Sequence, residues 1–173
     1  MTAAGPSGAT WSVSLSSGRA STVTDIPSKL AGFLSLLDSI DSRHERIELL
    51  IDTADRYREV PPDIARRPFD SSHLVPNCES EAYFWPVDRA DGTLDLHFAV
   101  ENPQGISARA MAVVLSETLS GAPLEALTRV DNDLAYGVFG RELSMGKSMG
   151  LNGMIAMVRL AAQRRLAQRG AAS

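Results

Sequence analysis

Cysteine is almost missing from this chain: Cys78 is the one thiol among 173 residues. A single cysteine excludes an internal disulfide and any multi-thiolate zinc or iron–sulfur centre built within the chain. It also points to a reducing compartment, taken here as the cytoplasm. Long hydrophobic runs are missing too, none approaching the roughly 20 residues of a membrane-spanning helix. The chain is therefore expected to be soluble, with no membrane partner. Histidine is scarce, and His44, His73 and His97 stand apart, without the Cys/His spacing of a metal site. The N-terminal "MTAAGPSGATWSVSLSSGRASTVTD" lacks the basic start and apolar stretch of a secretory signal. Residues 1–26 read as a disordered or loosely docked tail, and 27–169 as a single domain.

A large excess of one charge is also lacking, the net charge being −4. Its distribution is uneven, with +5 from Arg141 onward against −9 before it. The terminal arginines Arg164, Arg165 and Arg169 fall where cations complement a helix dipole, and no nucleic-acid partner is expected. "MGKSMG" contains Gly-Lys-Ser, but a phosphate-binding loop needs a glycine five residues before Gly146, where Arg141 stands. Nucleotide binding is excluded on that ground. Met145, Met149, Met154 and Met157 read as core filling.

What is present suits a globular domain: 44% hydrophobic and 22% charged residues. Leu30, Phe33, Leu34, Leu37 and Ile40 recur at helical spacing. Asp41 or Ser42 opens a second helix, Ser42 and Glu45 having capping-box spacing; Ile47, Leu50, Ile51, Ala54 and Tyr57 stripe it, and the two helices form a hairpin ended by "VPPD". The period then changes. "EAYFWPV" is β-prone, with Pro86 marking an edge or bulge; "DRADGT" is a turn; "LDLHFAV" alternates, with Leu94, Leu96, Phe98 and Val100 on one face. Helical spacing returns in "ISARAMAVVLSETLSG", closed by Gly121, with Pro123 opening a short helix. "LSMGKSMG" reads as a loop before a last helix that buries Leu151, Met154, Ile155, Val158 and Ala162. The fold class is α+β, a small antiparallel sheet with helices packed against it.

Cys78 sits in "HLVPNCESEAYFW", in a polar turn after a proline and before a strand. Free cysteines are often buried and inert. Against that, its neighbours Asn77, Glu79 and Ser80 are polar, and no second thiol exists to resolve a sulfur species placed on it. Glu79 and Glu81 do not supply the cations that activate nucleophilic cysteines; Arg66, Arg67, His73 and Lys147 are the candidates to offset them. A cysteine hydrolase needs a base and an orienter, and the residues name no such triad. From the residues alone three readings stand: a sulfur acceptor, a non-accepting binding module, and a stand-alone cysteine hydrolase.

The chain resembles the SufE family of sulfur-acceptor proteins. Its Pro-containing entry loop and Gly-Cys-x-Ser turn before an aromatic strand correspond to "LVPNCESEAYFW". The helix ending in Ser-Gly-x-Pro-x-Glu corresponds to "AMAVVLSETLSGAPLEAL", and Leu-Ser/Thr-Pro-x-Arg-x-x-Gly-Leu to "LSMGKSMGLNGMIAMV". The similarity runs over roughly residues 28–165 in order. Asn77 replaces the glycine before the cysteine, an exchange compatible with a left-handed backbone. "ENPQG" stands for an acidic segment, and Lys147 for an arginine, keeping the charge without the bidentate fork. The resemblance implies a SufE/IscU-like two-layer sandwich with Cys78 at a loop tip as persulfide acceptor. Asn77, Ser80 and Lys147 become loop or partner contacts. The implied partners are a SufS-type cysteine desulfurase, which alone carries pyridoxal phosphate, and an iron–sulfur scaffold. No metal or cofactor is expected on this chain beyond a transient persulfide, and the protein is expected to be a monomer or weak dimer.

Overall fold

The computed structural model describes residues 26–140 and 143–172. The expected N-terminal tail lies outside the described residues except for Ile26, which packs partly buried against the core. Helix α1 spans Ser28–Asp38 and α2 Arg43–Asp55; strands β1, Ala82–Asp88, and β2, Leu94–Val100, form an antiparallel hairpin. Helices α3, Ile106–Leu119, α4, Leu124–Thr128, α5, Asp133–Phe139, and α6, Met145–Ala171, complete the order. The architecture is α+β.

Helix α3 is the centre. Its sequence is apolar around most of its circumference, and Met111, Leu115 and Leu119 are fully buried. Helices α1, α2 and α6 and strand β2 all pack on it. The expected α1–α2 hairpin is thus replaced by two helices that each lean on α3. Arg46 joins α1, α2 and α5, donating to Leu37 O at 2.9 Å and to Gly137 O. Those carbonyls lie at helix C-termini, where a cation also opposes the helix dipole.

Of the two residues expected to open α2, Ser42 is the cap, its Oγ accepting from Glu45 N. The expected stripe of α2 holds at Leu50, Ala54 and the partly buried Tyr57 but not at its isoleucines. Leu50, Thr53 and Ala54 are buried, whereas Ile47 and Ile51 are exposed. Thr53 satisfies its hydroxyl within the helix, donating to Leu49 O at 2.7 Å, so a polar residue can take the inner face. Helix α2 also stops at Asp55, ahead of the prolines.

The sheet alternates as its sequence demands: Leu94, Leu96, Phe98 and Val100 face the helices with Ala82 and Phe84. The other face is covered as well, by the segment before β1. Val60, Trp85 and Ala99 are buried there with Ile64, Phe69 and Tyr83 around them. Trp85 meets the Phe69 ring edge-on at 5.0 Å and stacks on His73 at 5.1 Å. Both sheet edges are closed by this same segment. Val60 N donates to Phe98 O at 2.8 Å on the β2 side, and Val75 N to Ala82 O at 2.8 Å on the β1 side.

Pro123 caps α4 rather than opening it, and α5 is an element that periodicity does not reveal. The larger correction concerns α6. It begins at Met145 behind Ser144, so the segment expected to be a loop forms its first two turns. Met154 is buried as expected, but Met145 and Met149 are exposed. The terminal arginines tie α6 to the hairpin: Arg165 Nε donates to Asp88 at 2.7 Å and Arg169 to Gly92 O. Among the described residues, no helix is long and apolar enough to cross a membrane.

Candidate functional site

Cys78 lies at the tip of a short excursion between two anchored points. On the entering side, Val75 is bonded to β1. On the leaving side, Glu101 N donates to Glu81 O and Asn102 N to Ser80 O, both at 3.2 Å. Within the tip, Glu81 N donates to Cys78 O at 3.0 Å, closing a four-residue turn. Asn77 has φ 57° and Glu81 φ 49°, so the tip enters and leaves through left-handed backbone. Asn at the first of these is the substitution for glycine that a left-handed turn tolerates best.

The tip rests on α6. Gly146, Gly150 and Gly153 fall on one helix face, and the loop crosses them in reverse order. Pro76 O lies 2.7 Å from where a Gly153 Cβ would stand; Cys78 Cα and Sγ lie 3.0 and 3.3 Å from the corresponding point at Gly150; and the Glu79 carboxylate covers Gly146. Opposite, Ser80 packs against Gly105, its Cβ 2.9 Å from where a Gly105 Cβ would stand. Cys78 is half-buried against the main core. The thiol is therefore backed by α6 and the helix-facing core, whereas Tyr83 and Trp85 belong to the cluster on the outer face of the sheet.

The other candidates sort out clearly. Asn77 and Ser80 shape the tip. Lys147 is exposed on the first turn of α6 and lines a neighbouring groove of about 820 Å³ with Ile47, Ile51, Ile106 and Phe139. Of the other cations expected to offset the acidic neighbours, Arg66, Arg67 and His73 are committed elsewhere. Arg67 pairs with Glu59 and with Glu101, Nη2 to Oε1 at 2.8 Å, and Arg66 Nε donates to Pro62 O at 2.8 Å. His73 Nδ1 is bonded to Phe84 O at 2.9 Å and His44 pairs with Glu48 at 3.2 Å. Among the described residues no hydrogen bond joins a histidine to Cys78, and no group of three or more His, Cys, Asp or Glu side chains is placed to hold a metal ion. Gly150 and Gly153 escape a reading of the sequence because a glycine-punctuated segment looks like a loop. The signal present is Gly recurring at positions 146, 150 and 153, the period of one helix face.

Behind the tip, Tyr57 fixes the end of β2. Its hydroxyl accepts from Val100 N at 2.9 Å and donates to Phe98 O at 3.4 Å. Burial pushes the Tyr57 phenol up to about 12. Val100 leads directly to Glu101 and Asn102, which hold the cysteine turn.

A two-stranded hairpin on a helical layer, with a thiol presented on a turn between them, defines a small α+β protein with one reactive candidate. The sequence matches the SufE family, described as an Fe-S metabolism associated domain, over residues 31–162. The chain belongs to that family and is thereby associated with iron–sulfur metabolism. The solution structure of a hypothetical protein from Thermus thermophilus shares the fold, with a TM-score of 0.66 at 23% identity over 82% of this chain and 98% of that one. No curated protein matches the sequence.

Proposed function

We propose that this protein accepts sulfur from a SufS-type cysteine desulfurase onto Cys78, accelerates that enzyme by unloading it, and delivers the sulfur to an iron–sulfur scaffold. The observation that carries the reading is the placement of the chain's one thiol, half-buried at the tip of an anchored turn in a SufE-family protein. The Cys78 thiolate attacks the terminal sulfur of the desulfurase persulfide. A new S–S bond forms at Cys78, the old one breaks, and the desulfurase cysteine leaves as thiolate, with no net oxidation. Pyridoxal phosphate belongs to the desulfurase in this reading, and the cytoplasm is its setting.

Two features support delivery into another protein. Met145, Met149 and Ile106 are exposed on the two helix starts that flank the tip, the kind of apolar surface a partner covers. Within the tip, no hydrogen bond among the described residues comes from the amides of Asn77, Cys78 or Glu79. The bond that Cys78 O accepts from Glu81 N is the one the tip must give up to leave its seat, the anchors at Val75, Glu101 and Asn102 staying in place, and we assign it a swing outward on docking. The partner supplies the activation that Glu79 does not.

The test is desulfurase turnover with wild type and Cys78→Ser, read together with the intact mass of each. The reading requires stimulation and one added sulfur in wild type, both lost in Cys78→Ser. Stimulation without added sulfur would assign a regulatory role instead, and the sulfur-acceptor reading would fall.

A further inference from the structure

The glycine face of α6 does more than tolerate the cysteine turn. Glycine inside a helix costs about 0.5–1 kcal/mol relative to alanine, so three on one face of the first three turns need a packing reason. The contacts supply one, and they differ in kind. At Gly150 the neighbouring atoms are the Cys78 Cα and Sγ and the Asn77 carbonyl oxygen, at 3.0, 3.3 and 3.3 Å from a Cβ position. At Gly153 they are Pro76 O at 2.7 Å and a Val75 methyl at 2.9 Å. These are mostly backbone atoms, which cannot rotate aside. At Gly146 the neighbours all belong to the end of the Glu79 side chain, which can.

Resting on the sulfur-acceptor reading, we propose that Gly150, supported by Gly153, is the positioning residue for the acceptor thiol. The missing side chains let the Pro76–Cys78 backbone lie directly on α6, and this contact sets how far Cys78 Sγ stands from solvent. The same smooth face presents no side-chain knob to hold the tip back when it leaves. A methyl group at position 150 has to lift the tip by its backbone, while one at 146 displaces only a carboxylate.

The experiment compares the full-length protein with Gly150→Ala and Gly146→Ala, following the reaction of Cys78 with a small aromatic disulfide under native conditions and the melting temperature of each. In Gly150→Ala the labelling rate is expected to rise roughly tenfold or more, as strain confined to a loop raises its opening equilibrium. In Gly146→Ala it stays within about twofold and melting does not fall, alanine being the better helix former. A melting change alone does not produce that split between the two variants. Unchanged labelling in folded Gly150→Ala, or an equal rise in Gly146→Ala, overturns the proposal. Should Gly150→Ala not fold, Gly153→Ala is expected to show the same rise. In wild type, proton NOEs between the α-protons of Gly150 and Cys78 are required, and their absence overturns the seat without any variant. None of these readouts uses a desulfurase. Failure of sulfur transfer with the labelling pattern intact would therefore remove the functional reading and leave the seat standing.

Discussion

Replacing Tyr57 by Phe removes one hydroxyl from the frame behind the cysteine turn, and its two bonds are not equivalent. Phe98 O keeps a partner, because Val60 N donates to it at 2.8 Å. Val100 N loses its partner in a residue that is 3% exposed, where water does not readily replace it. The expected cost is that of one unsatisfied buried amide, about 1–3 kcal/mol. For a domain of this size each kcal/mol shifts the melting temperature by roughly 2–4 °C. Urea unfolding with m held common to both proteins measures the loss, and thermal melting checks it. The pH dependence adds a second signature. Burial holds the folded phenol up at about 12, while an unfolded tyrosine ionises near ~10. Between those values the unfolded chain releases a proton that the folded one keeps, so wild-type stability falls as pH rises through the window. Tyr57→Phe lacks that part of the slope. A loss below about 0.5 kcal/mol would refute the claim that the hydroxyl satisfies Val100, since that is the scale of an ordinary surface change.

Three further outcomes follow from the geometry. Asn77→Gly should leave stability within about 0.5 kcal/mol while Asn77→Val costs roughly 1–2 kcal/mol, because φ at this position is 57°; urea midpoints decide it. Arg165→Gln should cost less than about 1 kcal/mol, since Asp88 is largely exposed and its pair well solvated. The Arg165 guanidinium holds the Asp88 carboxyl below the usual range. That pair's contribution is therefore present above the ordinary carboxylate pKa of about 4 and lost as pH falls through the lower folded value, so the difference from Arg165→Gln should vanish in strong acid melts.

Much of the fold is legible where one residue answers one local demand. Ser42 caps α2 as its spacing with Glu45 requires, β2 alternates into the core, and Asn77 takes the left-handed backbone a glycine would have taken. Errors arise where tertiary packing overrides local preference. Leu50 and Ala54 of the expected α2 stripe are inside, but Ile47 and Ile51 are exposed and Thr53 is buried instead. A threonine that bonds its own helix backbone is as easily buried as an isoleucine, and hydropathy cannot tell the two faces apart. The start of α6 is hidden for a related reason. Glycine disfavours helix locally, and only the loop lying on Gly150 and Gly153 explains why the helix accepts it. The cysteine itself is legible as a candidate from its solitude and polar neighbours. Its seat is not, because nothing in the local sequence brings residues 76–78 to residue 150.

A single-turnover transfer tests the central claim most directly. A desulfurase is loaded with persulfide, freed of excess cysteine, and mixed with this protein, and the Cys78 peptide is followed by mass spectrometry as the enzyme's persulfide decays. The account predicts one reductant-labile sulfur atom appearing on Cys78 as the desulfurase loses its own, and no transfer to Cys78→Ser. A wild-type protein that stays unmodified beside a desulfurase that keeps its persulfide would contradict it.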